Sequence, residues 1–152
     1  MEAARLALPP DLPVCAELLA QALAAARTQR GGATLAGPIT AGDLLDRWDT
    51  NVGTVLLVGE FHHVVVGIGA ATTQRRHPTD TLSGRIECCY VEEEARGVGV
   101  GTALMDGLVA WCATQGTTDI DALALPGDRI SKQRLEAAGF TARLLTLNRR
   151  LS

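Results

Sequence analysis

The stretch Val91-Glu92-Glu93-Glu94-Ala95-Arg96-Gly97-Val98-Gly99-Val100-Gly101-Thr102 decides how the rest of the chain is read. Before it runs Arg85-Ile86-Glu87-Cys88-Cys89-Tyr90-Val91, which predicts a strand. After it, residues 101–114 put Leu104, Met105, Leu108, Val109, Trp111 and Cys112 on one side of an amphipathic helix. Glycines between strand and helix let the backbone approach an anion without Cβ interference. The exposed N–H groups and the positive end of the helix dipole then suit a pyrophosphate. Arg96 either adds charge there or braces the loop. A tight turn without a ligand is the alternative at this point. The spacing is G-x-G-x-G, lacking the third glycine of G-x-G-x-x-G, and it lies far from an N-terminal βαβ unit. No Gly-Lys-Ser/Thr ending follows, so a nucleotide P-loop is excluded as well.

Upstream, Arg5-Leu6-Ala7-Leu8 reads as a short strand that Pro9-Pro10-Asp11-Leu12-Pro13 stops. Asp11 is placed to cap a helix over residues 14–27, whose apolar stripe is Leu18, Leu19, Ala22 and Leu23. Thr28 to Pro38 reads as a loop. Thr40 with Asp43 resembles a capping box opening a second helix, with Leu44, Leu45 and Trp48 on its apolar face. Val55–Val58 and Val64–Ala70 are strands, joined as a hairpin through Gly59-Glu60-Phe61-His62-His63. Downstream, Ile120 to Leu125 is a strand broken by Pro126-Gly127. Asp128 starts a helix that ends at Gly139, and Thr141 to Leu151 reads as one or two further strands. The order β-α-α-β-β-β-α-β-α-β predicts one mixed α/β domain over residues 1–152.

The composition, 47% hydrophobic and 20% charged, belongs to a globular chain with its own core. No apolar run approaches the roughly 20 residues of a membrane span. Met1-Glu2-Ala3-Ala4-Arg5 is not the start of a signal peptide. A cytoplasmic protein with no membrane partner is the expectation. The net charge of −3 argues against nucleic-acid binding and is compatible with a cationic substrate such as an amine. Cys15, Cys88, Cys89 and Cys112 form no C-x-x-C pair and no zinc-ligand spacing, so free thiols and no metal are expected. Adjacent Cys88 and Cys89 point to opposite faces of their strand.

Arg96-Gly97-Val98-Gly99-Val100-Gly101 resembles the Arg/Gln-x-x-Gly-x-Gly/Ala signature of the GNAT superfamily of acetyl-CoA-dependent N-acetyltransferases. The opening strand entering its helix, the second hairpin, and Glu136-Ala137-Ala138-Gly139-Phe140 resemble further parts of that family, so the likeness in element order spans essentially the whole chain. The resemblance implies a central mixed, mostly antiparallel sheet, splayed between strands four and five and flanked by about four helices. It implies acetyl-CoA as cosubstrate. The pantetheine would pair with backbone at Cys89, Tyr90 and Val91, and the pyrophosphate would lie on Arg96, Gly97, Val98, Gly99, Val100, Gly101 and Thr102. It further implies transfer of the acetyl group to a primary amine of a small molecule or peptide by direct attack. Dimers are common in the family, and pairing of the terminal strand region would give a homodimer.

The chain departs from the family at two places. The tyrosine that many members use to protonate the leaving thiolate falls on Leu135, five residues before Phe140, and an Asn near the start of that helix corresponds to Asp128. Leu135 leaves open a second reading, a module that holds acyl-CoA without efficient turnover. A third reading is an unrelated phosphate-ligand binder. Glu87 is the candidate base, expected to share a face with Arg85 and Cys89 and to be partly buried; an ordinary salt-bridged glutamate is the alternative. His62 and His63 read as solvated turn residues, with catalysis the alternative; His77 reads as a plain loop residue, with a place beside the acceptor site the alternative; Tyr90 reads as a packed aromatic, with a substitute acid the alternative. Glu92, Glu93 and Glu94 should face solvent. Asp119 and Asp121 either attract an amine or simply start a surface strand. The resemblance implies an acceptor region shaped by roughly residues 28–50 and by the loop after the third strand.

Overall fold

The computed structural model describes residues 1–151. Strand β1 (Glu2–Leu6) leads through a 3₁₀ turn at Pro9–Asp11 into helices α1 (Leu12–Thr28), α2 (Gly32–Ala36) and α3 (Ala41–Thr50). Strands β2 (Thr54–Phe61), β3 (Val64–Arg76) and β4 (Thr81–Val91) follow. A second 3₁₀ turn, Glu93–Ala95, precedes α4 (Val100–Thr114), β5 (Ile120–Ala122) and α5 (Arg129–Ala137). The five strands lie in sequence order in one sheet, antiparallel from β1 to β4 and parallel between β4 and β5. The mixed α/β architecture, with its splay between strands four and five, is as the sequence implies.

Each face of the sheet carries its own core. On one face α4 lays Val100, Leu104, Met105, Leu108 and Cys112 against Val55, Leu57, Val66 and Ile86. On the other, Cys15, Leu18 and Leu19 of α1 and Leu45 and Trp48 of α3 cover Val58, Ile68 and Ala70. Glycines in the strands let α4 come close: a Cβ on Gly59 would lie 2.5 Å from Val100 Cγ1. This contact holds the N-terminus of α4, and so the glycine loop, against the sheet.

Local chemistry explains where elements begin and turn. Thr40 and Asp43 form the expected capping box, with Asp43 N–H donating to Thr40 Oγ1 at 3.1 Å. Asp11 occupies the N-cap of α1, but its carboxylate turns back to accept from the Leu8 N–H at 2.8 Å and from Arg5. Arg5 also pairs with Glu60, tying β1, β2 and the start of α1 together. The β2–β3 hairpin closes on His62 and His63, both with positive φ. That geometry usually draws Asn or Gly, which is why the turn is weakly marked in the sequence.

Three expectations need correction. The loop over 28–38 contains the short helix α2. β5 stops at Ala122, three residues before Leu125, because the chain peels away ahead of Pro126-Gly127. Residues 141–151 join no strand ladder. Their leucines suggested strands, but Leu144, Leu145, Leu147 and Leu151 are exposed, and alternation without a facing partner makes no sheet.

Candidate active site

The splay follows from unequal pairing. β4 pairs with β5 only from Gly84 to Ile86, against Ile120 to Ala122. Beyond Ile86, β4 runs on to Val91 with no strand on that side among the described residues. Two backbone carbonyls on this open edge are covered by arginines. The Cys89 carbonyl accepts from Arg134 Nη1 at 3.1 Å, and the Val91 carbonyl accepts from Arg96 Nε at 3.0 Å. Arg96 also lies over the Tyr90 ring, 5.6 Å from its centroid. Of the two roles open to Arg96 in the sequence, bracing the loop is the one its contacts support.

Gly97 and Gly99 adopt φ of +85° and +91°, and Gly99 is the N-cap of α4. Backbone in this left-handed region suits glycine. Space around Gly97 is open, and the nearest atoms to a Cβ on Gly99 would be those of the Glu2 side chain, from 3.2 Å. Val100 and Gly101 are buried in the first turn of α4, while Val98 and Thr102 are exposed. Glu93 and Glu94 face solvent, and Glu92 is half-buried. The loop thus offers glycine backbone and an unfilled helix N-terminus beside an open strand edge, which fits an extended ligand ending in a diphosphate.

A bulge shapes the middle of β4. Ala70 pairs with Cys88 and Ala71 with Ile86, so Glu87 is the extra residue. The expectation that Glu87 shares a face with both Arg85 and Cys89 therefore holds only for Arg85. Glu87 accepts from Thr72 Oγ1 at 2.9 Å, and Arg85 Nε stands 3.4 Å from the same carboxylate oxygen. Oε2 of Glu87 has no hydrogen-bond partner among the described residues. The bulged backbone is exposed, while the side chain is 27% exposed, partly buried as expected. Past the bulge, Cys88 joins the α1/α3 core and Cys89 the α4 core, on opposite faces as expected. Burial pushes the Cys88 thiol up to about 12 and the Cys89 thiol above its usual value, which removes both as nucleophiles.

A cleft of about 60 Å³ lies between β4, β5 and α5, bordered by Ile86 to Cys89, Met105, Ser131, Arg134 and Leu135. Leu135 packs against the α4 core, so an apolar side chain stands where a proton donor was sought. Asp128 turns into α5, accepting from the Ser131 N–H at 3.1 Å and its hydroxyl at 2.6 Å. Its charge is thereby engaged as a helix cap. Asp119 and Asp121 are paired with Arg76 and Arg143, which favours the structural reading of both. His77 sits in the β3–β4 turn, at the far end of β4 from the glycine loop. Tyr90 donates its hydroxyl to Gln21 Oε1 of α1 at 3.2 Å. A wider groove of about 520 Å³, with Trp48, Asp49 and Trp111 on its walls, lies at the opposite end of β2 from the loop and touches none of these residues.

Sequence reasoning missed Arg134. The signal was Gly101, a glycine that falls inside a helix where no positive φ is needed. A Cβ there would meet Nε, Cζ and Nη2 of Arg134 at 2.6–2.7 Å. Glycine in that turn marks a side chain lying on the backbone.

Among the described residues, no group of three or more His, Cys, Asp or Glu is gathered as for a metal ion, and no helix is long and apolar enough to cross a membrane. A search of curated protein sequences finds no significant match. The sequence model of the acetyltransferase (GNAT) family matches residues 33–140. Solved structures match the fold over nearly the whole chain. An acetyltransferase of Trypanosoma brucei is 23% identical, with a TM-score of 0.69 over 99% of this chain and 100% of that one. A predicted acetyltransferase of Clostridium acetobutylicum, crystallised with acetyl-CoA, is 18% identical, with a TM-score of 0.75 over 97% and 96%. An aminoglycoside acetyltransferase from an uncultured soil metagenomic sample is 19% identical, with a TM-score of 0.72 over 100% and 99%. At these identities the likeness is one of fold.

Proposed function

Because the chain belongs to the acetyltransferase (GNAT) family, we propose that it transfers an acetyl group from acetyl-CoA to a primary amine of a small molecule or peptide, both substrates being held at once. The observation that carries this reading is the open edge of β4 running into the glycine loop. Backbone N–H groups from Gly97 to Thr102 hold the diphosphate, aided by the dipole of α4. Backbone at Cys89 to Val91 pairs with the pantetheine amides as a further strand would. Bound acetyl-CoA supplies the activated acetyl thioester. Glu87, on the bulge, takes the proton that the amine sheds, directly or through one water. Holding amine and thioester side by side provides much of the rate. The acceptor approaches from the face formed by α1, α2 and α3.

The position of Leu135 on the core favours one second reading, a domain that holds acyl-CoA with little turnover. Thermal unfolding with acetyl-CoA, CoA, ATP and NADH side by side tests the shared premise. A ligand at 100 times its Kd stabilises the fold by about 2.7 kcal/mol, a readily measured rise in Tm. A rise with the CoA compounds is expected. No rise with them, or a larger one with a nucleotide, overturns the reading. Thiol release across a panel of amines then separates enzyme from module: binding without release supports the module.

A further inference from the structure

Arg134 and the first turn of α4 occupy each other's space. The guanidinium lies on the backbone of Gly101 and donates to the Cys89 carbonyl, with the Cys89 sulfur 3.8 Å from Nη1. It is a half-buried cation near the positive end of a helix, where anions rather than cations are favoured. No carboxylate pairs with it among the described residues. Glu87, on the same cleft, is engaged by Thr72 and Arg85 instead, so the guanidinium stands without an ion-pair partner where β4 and β5 part.

We propose that Arg134 is a catalytic residue whose guanidinium faces the sulfur of the bound thioester and stabilises the charge that collects there as the thiolate leaves. The inference rests on the acetyl-CoA reading above. The cleft is narrow, with Arg134 and Leu135 on one wall and Ile86 to Cys89 on the other, so a pantetheine arm pairing with β4 meets Arg134. Arg134 is the side chain that covers the Cys89 carbonyl. When the ligand's amide takes that carbonyl, the guanidinium is released from it and remains beside the cleft, anchored through α5. Its neighbour Leu135 has no proton to give, and arginine, charged at any working pH, cannot act as an acid. It acts as a fixed charge instead. As the amine nitrogen bonds to the acetyl carbon, the carbon–sulfur bond breaks and the sulfur keeps the electron pair. The nitrogen's proton passes to Glu87 or to water, and the thiolate takes a proton from solvent after leaving the guanidinium.

The charge effect is readable without an acceptor. The ultraviolet absorbance of the CoA thiolate is titrated against pH on the wild-type protein, Arg134→Met and Arg134→Lys. The same proteins saturated with desulfo-CoA serve as blanks. The Cys15 and Cys88 thiols, raised by burial to about 11 and 12, stay silent over most of this range. An opposite charge within a few ångströms lowers a pKa by at least about one unit. The wild type should therefore hold about tenfold more bound thiolate than Arg134→Met at the same pH, with Arg134→Lys between. Gly101→Ala, whose methyl would displace the guanidinium without removing it, should show the same loss and serves if Arg134→Met does not fold. Equal titrations of wild type and of a folded, CoA-saturated variant overturn the role of Arg134. Failure of the wild type to bind CoA overturns the acetyl-CoA reading itself, a separate result.

Discussion

β4 is held along one edge and left open along the other. Ten residue pairs join it to β3, from Gly67–Val91 to Arg76–Thr81. Three join it to β5. On the β3 side backbone hydrogen bonds are used up within the sheet, and α4 and α1 pack over both faces. On the β5 side, from Glu87 to Val91, the strand has only arginine side chains on its carbonyls. One strand thus supplies stability through one edge and a ligand-binding surface through the other. Changes on the two sides should then separate, those on the closed side reading out in unfolding and those on the open side in binding and turnover.

The largest effect is expected from the closed side. Leu108→Ala removes a side chain with no exposure and should cost about 2–5 kcal/mol in denaturant unfolding. Affinity for CoA in the folded protein should be unchanged; a matching loss of affinity would break the separation. On the open side, Gly99→Glu puts bulk and negative charge where the diphosphate belongs. It should weaken CoA binding by at least about 3 kcal/mol, on the order of a hundredfold. Unchanged affinity in a folded variant would remove the loop from the site. Glu87→Gln should lower kcat by up to about a hundredfold while leaving cofactor affinity near wild type. Wild-type turnover would eliminate Glu87 as the base.

The smallest effect belongs to the clamp on the far edge of the closed side. Hydrogen bonds from the Arg5 guanidinium, and then from the Leu8 N–H, hold the Asp11 carboxyl below its usual value. Its stabilisation is therefore present above the unfolded carboxylate pKa, about 3.9, and is lost as pH falls through the lower folded one. Asp11→Asn should be less stable than wild type at neutral pH, and the gap should close in acid. A gap that stays constant with pH would mean that the ion pair is not its source.

The same division explains what the sequence could reveal. The closed side is written in local patterns, apolar spacing for α4 and Thr40 with Asp43 for a helix start; on the open side only the glycines between strand and helix are. The open side depends on register and docking. A bulge at Glu87 has no residue signature, because it arises from how two strands align. Arg134 enters the cleft only because α5 lies across the splay. Conversely, the leucines of 141–151 carry a strand-like pattern that the rest of the fold does not complete. Of the candidate site, the loop and the strand end were legible, while the facing of Glu87 and the presence of Arg134 were not.

The contact between Gly101 and Arg134 has a consequence for how this chain can drift. A methyl at 101 would push the guanidinium off its present seat, which a flexible side chain can leave. Alanine or serine at 101 should therefore be tolerated by the fold, with the arginine turned away from the Cys89 carbonyl. The helix start and the arginine then act as one part: the residue placed at 101 sets where the charge of 134 sits.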